Sequence, residues 1–274
     1  MAICFPPVTL ALFPSDRLPP RLVAAGWKHP IDVRGVLPAT GPAVAIVGAR
    51  AASRAGMARA HQLARHLAGR GVHVISGGAI GIDAAAHRGA LGGGGTTTVV
   101  LGSGVDVVYP RRHAALFAEV VASGGALVSM LPRGTQPRPG TFPARNRLIA
   151  ALADAVIVVE ADLKSGSLST AGAARRIGRL VAAWPGSRGC ASLLATHAAI
   201  VECEADADAL LAGAPRFPMP PAPMTLDPIA ARVAAALRAG ARGVDGVVVA
   251  TGLSVREVLR ALSTIEGTFP GRTS

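Results

Sequence analysis

Short apolar runs alternate with longer segments of helical spacing across the middle of the chain. Six of these runs have four or five residues each, as buried strands usually do, and lie at 44–47, 72–75, 97–101, 126–129, 155–159 and 180–183. Apolar residues recur with a helical period between the runs, which predicts helices at 56–69, 82–91, 113–123, 147–153 and 169–178. This alternation predicts an α/β fold with a doubly wound, mainly parallel sheet of the extended Rossmann-like kind.

The pattern weakens on both sides of this core, which is expected to span residues 44–213. Residues 1–43 are rich in proline and weakly patterned, and we interpret them as an N-terminal extension that leans on the core. A proline-rich stretch at 214–224 favours extended backbone and is interpreted as a linker between two domains.

The C-terminal segment, residues 225–274, contains two helical patterns on either side of a short apolar stretch. Ser254 and Glu257 have the spacing of a capping box at the start of the second helix. The segment therefore predicts a small module of the winged-helix or helix-turn-helix-like kind. Its second helix carries Arg256 and Arg260, so regulation through duplex DNA is one alternative function, and a protein–protein role is another.

Composition narrows the class of partner. Half of the 274 residues are hydrophobic but only 3% are aromatic, so small aliphatic residues must form most of the core. The net charge is +12, which favours a polyanionic partner. Between residues 107 and 153 six arginines accompany a single acid, Glu119. A solvated basic surface with no specific partner is the alternative interpretation.

Other features exclude several classes of protein. No uninterrupted apolar stretch approaches the ~20 residues that span a bilayer, and the N-terminus does not fit a secretory signal, so we expect a cytoplasmic protein without a membrane partner. The three cysteines, Cys4, Cys190 and Cys203, lack the spacing of a metal site or a disulfide framework. Reduced thiols and no bound metal are expected.

Glycine-rich turns follow four of the predicted strands. Ligands of an open parallel sheet bind beyond the carboxyl ends of its strands. Glycine lets the main chain approach an anion closely, and the N-terminus of a helix adds free N–H groups. The turns therefore predict a phosphate site, formed by Gly48, Arg50, Ser53, Ser76, Gly77, Gly78, Gly102, Gly104, Ser165, Gly166 and Ser167. The chain has neither a Walker motif nor a G-x-G-x-x-G turn, so no nucleotide cofactor is expected.

A second candidate for contact with the ligand lies at 141–150, just before a predicted helix. Arg145 and Arg147 can fork onto phosphate oxygens, Asn146 can bond a sugar or a base, and Phe142 can stack on a base. Hydrogen bonds that cap neighbouring loops are the alternative role for Arg145 and Asn146. The arginine-rich stretch that begins at Arg111 is expected to extend the phosphate site into a longer track.

Five motifs occur in a fixed order along the chain. They are Val47-Gly-Ala-Arg50, Ser76-Gly-Gly-Ala-Ile-Gly-Ile-Asp-Ala-Ala-Ala-His87, Leu101-Gly-Ser-Gly104 with Tyr109-Pro110, Phe142-Pro-Ala-Arg-Asn-Arg147, and Val159-Glu160 followed by Ser165-Gly-Ser-Leu-Ser-Thr-Ala171 and Pro185-Gly186. Through them, residues 44–186 resemble the DNA-processing protein A (DprA/Smf) family, and the C-terminal segment resembles the family's winged-helix module more loosely.

The resemblance implies a cytoplasmic bacterial protein that binds single-stranded DNA and has no catalytic activity. In naturally transformable cells such proteins help to load the RecA recombinase onto incoming strands, and members commonly form homodimers. By position, the resemblance assigns Arg50 to the DNA backbone. It assigns to the phosphate-facing turns Gly48, Ser76, Gly77, Gly102, Ser165 and Gly166, and to the strand-contacting loop Phe142, Arg145, Asn146 and Arg147.

The sequence departs from the family pattern at three places. Ile80 stands where many members have a basic residue, so one backbone contact is expected to be missing. Ser129-Met130 replaces the usual Ser-Glu, and the segment at 189–194 keeps little of the motif that normally follows Pro-Gly. These changes bear on the edge of the domain and on the surface between subunits.

The main alternative is an enzyme, a nucleotide phosphoribohydrolase of the lysine-decarboxylase-like (LOG) group. That group has the motif Pro-Gly-Gly-x-Gly-Thr followed by a catalytic glutamate. Here the glycines at 92–95 precede a strand with no acid. Asp83 and His87 lie four residues apart. An acid–base pair and a pair of metal ligands are two alternative interpretations of them. We expect Asp83 to cap the helix or to order its glycine turn instead, and Glu160 to brace an arginine.

Overall fold

The computed structural model describes residues 10–219 and 227–266, with side chains as far as residue 263. The chain divides into two compact units, Met1–Pro218 and Met219–Ser274. A wing of the predicted winged-helix module would have to come from the last few residues, which lie outside the described residues. In the described part of the chain, no helix is long and apolar enough to cross a membrane.

One sheet organises the first unit. Its nine strands, counted over residues 10–219, are β1 (Leu10–Phe13), β2 (Ile31–Gly35), β3 (Ala43–Val47), β4 (His73–Gly77), β5 (Thr97–Val100), β6 (Ala126–Ser129), β7 (Ala155–Val158), β8 (Leu180–Ala183) and β9 (Ala199–Ile200). They lie in the order β1-β2-β6-β5-β4-β3-β7-β8-β9. The strands from β6 to β9 in this order are parallel, which confirms the predicted mainly parallel sheet, while β1 and β2 pair antiparallel.

The two directions of winding meet between β3 and β7. From β3 the chain proceeds through β4, β5 and β6 to one side, and through β7, β8 and β9 to the other. The carboxyl ends of β3 and β7 therefore open onto the topological switch point, where α/β sheets usually bind their ligands.

Helices cover both faces of the sheet. In the first unit they are α1 (Pro20–Ala24), α2 (Arg54–Gly69), α3 (Ile82–Gly92), α4 (Ala114–Ala122), α5 (Thr141–Leu152), α6 (Gly166–Arg176), α7 (Arg188–Ala195) and α8 (Glu204–Leu211). Ala43, Ala45 and Val47 of β3 pack with α1, α5 and α6, whereas Val44 and Ile46 pack with α2 and α3. Because successive strand residues point to opposite faces, this strand is apolar throughout, as its sequence predicted.

Residues 10–43, the described part of the predicted N-terminal extension, belong to the sheet as well as covering it. Within them, β1 and β2 add two antiparallel strands to the edge of the sheet beyond β6. Leu10 and Leu12 are exposed, while Ile31 and Val33 are buried, so only β2 shows a clear apolar face. Residues 187–213, which carried no predicted element, form α7, β9 and α8.

The second unit is a bundle of helices, described over residues 227–266. They are α9 (Pro228–Arg238), α10 (Gly243–Thr251) and α11 (Val255–Glu266). Val233, Val247 and Val258 lie at the centre of their common core. Ser254 and Glu257 form the predicted capping box, in which Glu257 N donates to Ser254 Oγ at 3.3 Å and Ser254 N donates to Glu257 Oε2 at 2.8 Å.

Candidate nucleic-acid interface

A cavity of about 620 Å³ lies at the switch point of the first unit. Its walls come from three places: the turn after β3, the first turns of α5, and the loop between β7 and α6. The predicted glycine-rich turns after these strands are thus brought to one cleft, as the parallel sheet requires.

The turn after β3 supplies the most accessible cation. The side chain of Arg50 is exposed at the mouth of the cleft, and its Cζ lies 5.1 Å from the centre of the Phe142 ring. Gly48 makes this turn possible, because a Cβ there would lie 2.5 Å from Ile82 Cγ1 and 2.8 Å from Glu160 O. Arg50 therefore stands over an aromatic face with its guanidinium available to a ligand.

Ser53 has a structural task. Its hydroxyl accepts a hydrogen bond from Gly56 N at 2.9 Å and so caps α2. The Glu160 carboxylate accepts two further bonds, from Ser53 N at 3.0 Å and from Ser53 Oγ at 2.6 Å. Glu160 therefore braces this turn through Ser53, in place of the arginine expected from the sequence.

The turn after β4 forms the floor of the cleft. Ser76 is fully buried and donates to Ile46 O at 2.6 Å. A Cβ on Gly77 would overlap Arg145 Nη1, and one on Gly78 would lie 2.8 Å from Phe117 Cζ. The Ser76 hydroxyl is therefore directed into the fold, and the two glycines leave room for the Arg145 and Phe117 side chains.

A buried ion pair lies directly on this floor. Arg145 Nη1 is 3.7 Å from Asp83 Oδ2, and both side chains are 7% exposed. Ala79 N also donates to Asp83 Oδ2, at 3.4 Å, so Asp83 orders the glycine turn as expected. Burial raises the pKa of the Asp83 carboxyl, and the Arg145 cation opposes that shift. Arg145 Nε has no hydrogen-bond partner among the described residues.

Both ring nitrogens of His87 have hydrogen-bond partners inside the fold. Its ring is fully buried, with Nδ1 2.8 Å from Thr97 Oγ1 and Nε2 2.9 Å from Gly77 O. Burial lowers its pKa to about 4, so the ring is neutral at pH 7. Over the described residues there is no group of three or more His, Cys, Asp or Glu side chains that could hold a metal ion.

A smaller cavity of about 190 Å³ adjoins the cleft and shares Arg50, Phe142 and Arg145 with it. Tyr109, which is 45% exposed, lies with its ring centre 6.2 Å from that of Phe142. Gly102 allows this arrangement, because a Cβ there would lie 2.9 Å from the Phe142 ring. The two cavities thus meet at an aromatic pair flanked by arginines.

Two predicted residues of this region lie outside both cavities. A Cβ on Gly104 would lie 2.8 Å from both Asp106 Oδ1 and Pro132 O, so this glycine packs one loop against another. Arg111 is exposed in a 3₁₀ turn, Arg111–His113, but the neighbouring Arg112 lines the smaller cavity instead.

The N-terminus of α6 closes the opposite wall of the cleft. Ser165 caps this helix, accepting from Ser167 N at 3.4 Å, and its Oγ lies 2.7 Å from Ser167 Oγ. Asn146 Nδ2 donates to Gly166 O at 3.1 Å and ties α5 to this turn. Lys164 also lines the cleft and was not among the predicted site residues, although it lies next to the Ser165 motif.

Arg147 does not face the cleft. The predicted loop at 141–146 is the beginning of helix α5, so residues 142, 145 and 146 share one side of the helix and Arg147 points elsewhere. Arg147 is exposed and lines a separate cavity of about 240 Å³ beside Trp27.

Comparison with known proteins matches both units to one family. Residues 15–211 match the family described as DNA recombination-mediator protein A, and residues 217–266 match the DprA winged helix domain. A Mycobacterium tuberculosis relative that carries the name DNA processing protein DprA is 43% identical over 237 residues, which are 82% of this chain and 60% of that protein.

Two solved structures are similar to the chain. DprA from Streptococcus pneumoniae has a TM-score of 0.66 and 35% identity, covering 75% of each chain. DNA processing protein A from Helicobacter pylori, described for its single-stranded DNA binding mode, has a TM-score of 0.68 and 29% identity, covering 75% of this chain and 97% of that one. The chain spans 60% of the Mycobacterium tuberculosis protein and 49% of Escherichia coli protein Smf. The chain belongs to the DNA-processing protein A (DprA/Smf) family.

Proposed function

We propose that this protein binds single-stranded DNA in the cleft at the switch point. One observation carries the proposal: the Arg50 guanidinium, the Phe142 ring and the N-terminus of α6 line the same cavity, and Arg50 Cζ lies 5.1 Å from the centre of that ring. Arginine and a helix N-terminus both bind phosphate, and an aromatic ring stacks on any base. The Helicobacter pylori structure, described for its single-stranded DNA binding mode, supports the same ligand.

A strand explains the site better than a single nucleotide does. Arg50 and Phe142 line three adjoining cavities, the third of which extends over Arg138 and Pro139 and measures about 480 Å³. Arg50, Arg112, Arg138 and Lys164 have no carboxylate partner within the described part of the chain. A row of unneutralised cations around connected cavities suits a chain of phosphates.

The test is a binding titration with single-stranded and duplex oligonucleotides over a range of salt concentrations. Tighter binding of single strands and a steep salt dependence are expected, because neutralised phosphates release counterions. Arg50→Ala should weaken binding about equally for all sequences, since backbone contacts carry no sequence information. Arg65→Ala is the matched control, because Arg65 is exposed on α2 and outside the cleft. Equal affinity for duplex, or an unchanged affinity of the Arg50 variant, would refute the proposal.

We also propose that the cleft does no chemistry. The acid at its floor, Asp83, is buried against Arg145, and the glycines at 92–95 lie before β5, at the amino ends of the parallel strands. The glycines that would form a phosphoribohydrolase motif therefore lie at the opposite ends of the strands from the cleft. Incubation of the pure protein with AMP should release no adenine, and release at a rate above that of a blank would contradict the proposal.

The remaining parts of the proposal concern partners. The protein is proposed to act in the cytoplasm as a homodimer that protects strands taken up during natural transformation and loads RecA onto them. Family membership supports this role in DNA processing. Sedimentation analysis measures the dimer, and the rate at which RecA coats a strand with and without the protein measures loading. A monomer at micromolar concentration, or no acceleration of RecA, would remove the corresponding part.

A further inference from the structure

A second basic cavity lies on the face of the sheet that α5 and α6 cover. It measures about 240 Å³ and is lined by the loop after α1 and by the sides of α5 and α6. The loop supplies Trp27 and Lys28, and the two helices supply Arg147 and Arg176; the apolar residues Ala151 and Ile177 also line the cavity. An aromatic ring and three cations therefore line one small cavity.

The cations of this pocket are available to a ligand. Lys28, Arg147 and Arg176 are all exposed, and no carboxylate in the described residues pairs with any of them. None of the residues that line the pocket is acidic. The Trp27 indole N–H donates to His29 O at 2.8 Å, which fixes the ring while one side of it borders the cavity.

The cleft and this pocket lie along the same two helices, α5 and α6. Pro143 on α5 and Ser169 on α6 line the third cavity of the cleft, whereas Arg147 on α5 and Ala173 on α6 line the Trp27 pocket. Pro143 and Arg147 are four residues apart, as are Ser169 and Ala173, and residues four apart share one face of a helix. Four residues correspond to about 6 Å along the helix axis, so the two sites are neighbours along this pair of helices.

We propose that this 240 Å³ cavity, the Trp27 pocket, is a second contact site for single-stranded nucleic acid that a strand reaches from the cleft by following α5 and α6. This inference rests on the proposed function. Phosphates would bind Arg147, Arg176 and Lys28, and a base would stack on Trp27. The pocket gives Arg147 a role in the same track although it lies outside the cleft. A strand long enough to leave the cleft is required to reach it.

The test compares short and long oligothymidylates, of about 4 and about 20 nucleotides, with the double variant Arg147→Glu/Arg176→Glu. The short strand should bind the variant and the wild type equally, because the cleft is intact. The long strand should bind the variant more weakly, and the slope of log affinity against log salt should fall by about 2, one for each lost phosphate contact. Arg65→Glu reverses one charged side chain on the opposite face of the sheet and is the control for a general effect of surface charge.

Fluorescence gives a reading that does not depend on changing surface charge. The chain has two tryptophans, and Trp184→Phe leaves Trp27 as the reporter. The long strand should quench Trp27, and the short strand should not. Unchanged long-strand binding by the double variant, an equal loss in Arg65→Glu, or unquenched Trp27 would each overturn the second site while leaving the cleft intact. Failure of the wild type to bind either strand would overturn the proposed function as well.

Discussion

Neutralising the acid at the floor of the cleft should cost much of the protein's stability. Asp83→Asn keeps the shape of the side chain but removes the negative charge that faces Arg145. Both side chains of this pair are 7% exposed, and Arg145 Nε already lacks a hydrogen-bond partner among the described residues. The variant would therefore leave a guanidinium in a buried place with no counter-charge, and arginine does not release its proton to escape this.

The size of the effect follows from the distance in the pair. Unit charges 3.7 Å apart attract by about 4–5 kcal/mol at an effective dielectric constant of about 20. Removal of one partner of a buried pair usually costs about 3–5 kcal/mol, which agrees. Arg145→Met should cost less, because the remaining carboxyl can bind a proton and become neutral. The double variant Asp83→Asn/Arg145→Met should recover part of the loss.

Urea unfolding followed by tryptophan fluorescence measures these changes in the first unit, since Trp27 and Trp184 both belong to it. Glu119→Gln is the matched control, because it makes the same chemical change on an exposed side chain of α4 and should stay within about 0.5 kcal/mol of the wild type. A loss below about 1 kcal/mol for Asp83→Asn, or strict additivity in the double variant, would show that the pair does not hold the floor.

Three other outcomes are expected. Burial lowers the pKa of His73 and His87 to about 4, so between pH 6.5 and 4 the unfolded chain binds more protons than the folded protein. The free energy of unfolding is therefore highest above about pH 6.5 and should fall by about 2 kcal/mol per ring by pH 5. Urea midpoints at pH 7.5 and 5 measure this loss. Phe142→Leu should weaken single-strand affinity by about 1–3 kcal/mol through lost stacking, in the same titration, and Phe142→Tyr should keep most of it. Ser53→Ala should lower the free energy of unfolding by about 1 kcal/mol, because α2 loses its cap; an unchanged urea midpoint would contradict this.

The central strands could be predicted because they are buried on both faces and therefore apolar throughout. The strands at the edge could not. In β1, Leu10 and Leu12 are exposed, and in β2 the apolar residues alternate with Asp32 and Arg34. Antiparallel strands at an edge need only one apolar face, and four or five residues are too few for a clear alternation against a proline-rich background.

The boundary of α5 determined which site residues could be predicted. Pro143 lies in the first turn of this helix, where proline is tolerated because its missing N–H has no partner to lose. As a loop, residues 142–147 would all have faced one ligand. As a helix, they divide by the period of 3.6 residues, so Phe142, Arg145 and Asn146 line the cleft and Arg147 lines the Trp27 pocket.

Burial separates the charges that bind from the charges that support. Arg145 and Arg50 belong to the same cleft, yet Arg145 is largely neutralised by Asp83, while Arg50 is exposed over Phe142. No local pattern in the sequence distinguishes them, because Asp83 and Arg145 meet only through the folded sheet. The salt dependence of binding should accordingly follow exposed cations such as Arg50 and Lys164, and Lys164→Ala should lower the salt slope by about 1. An unchanged slope would mean that the cleft binds its phosphates mainly through backbone N–H groups at the start of α6.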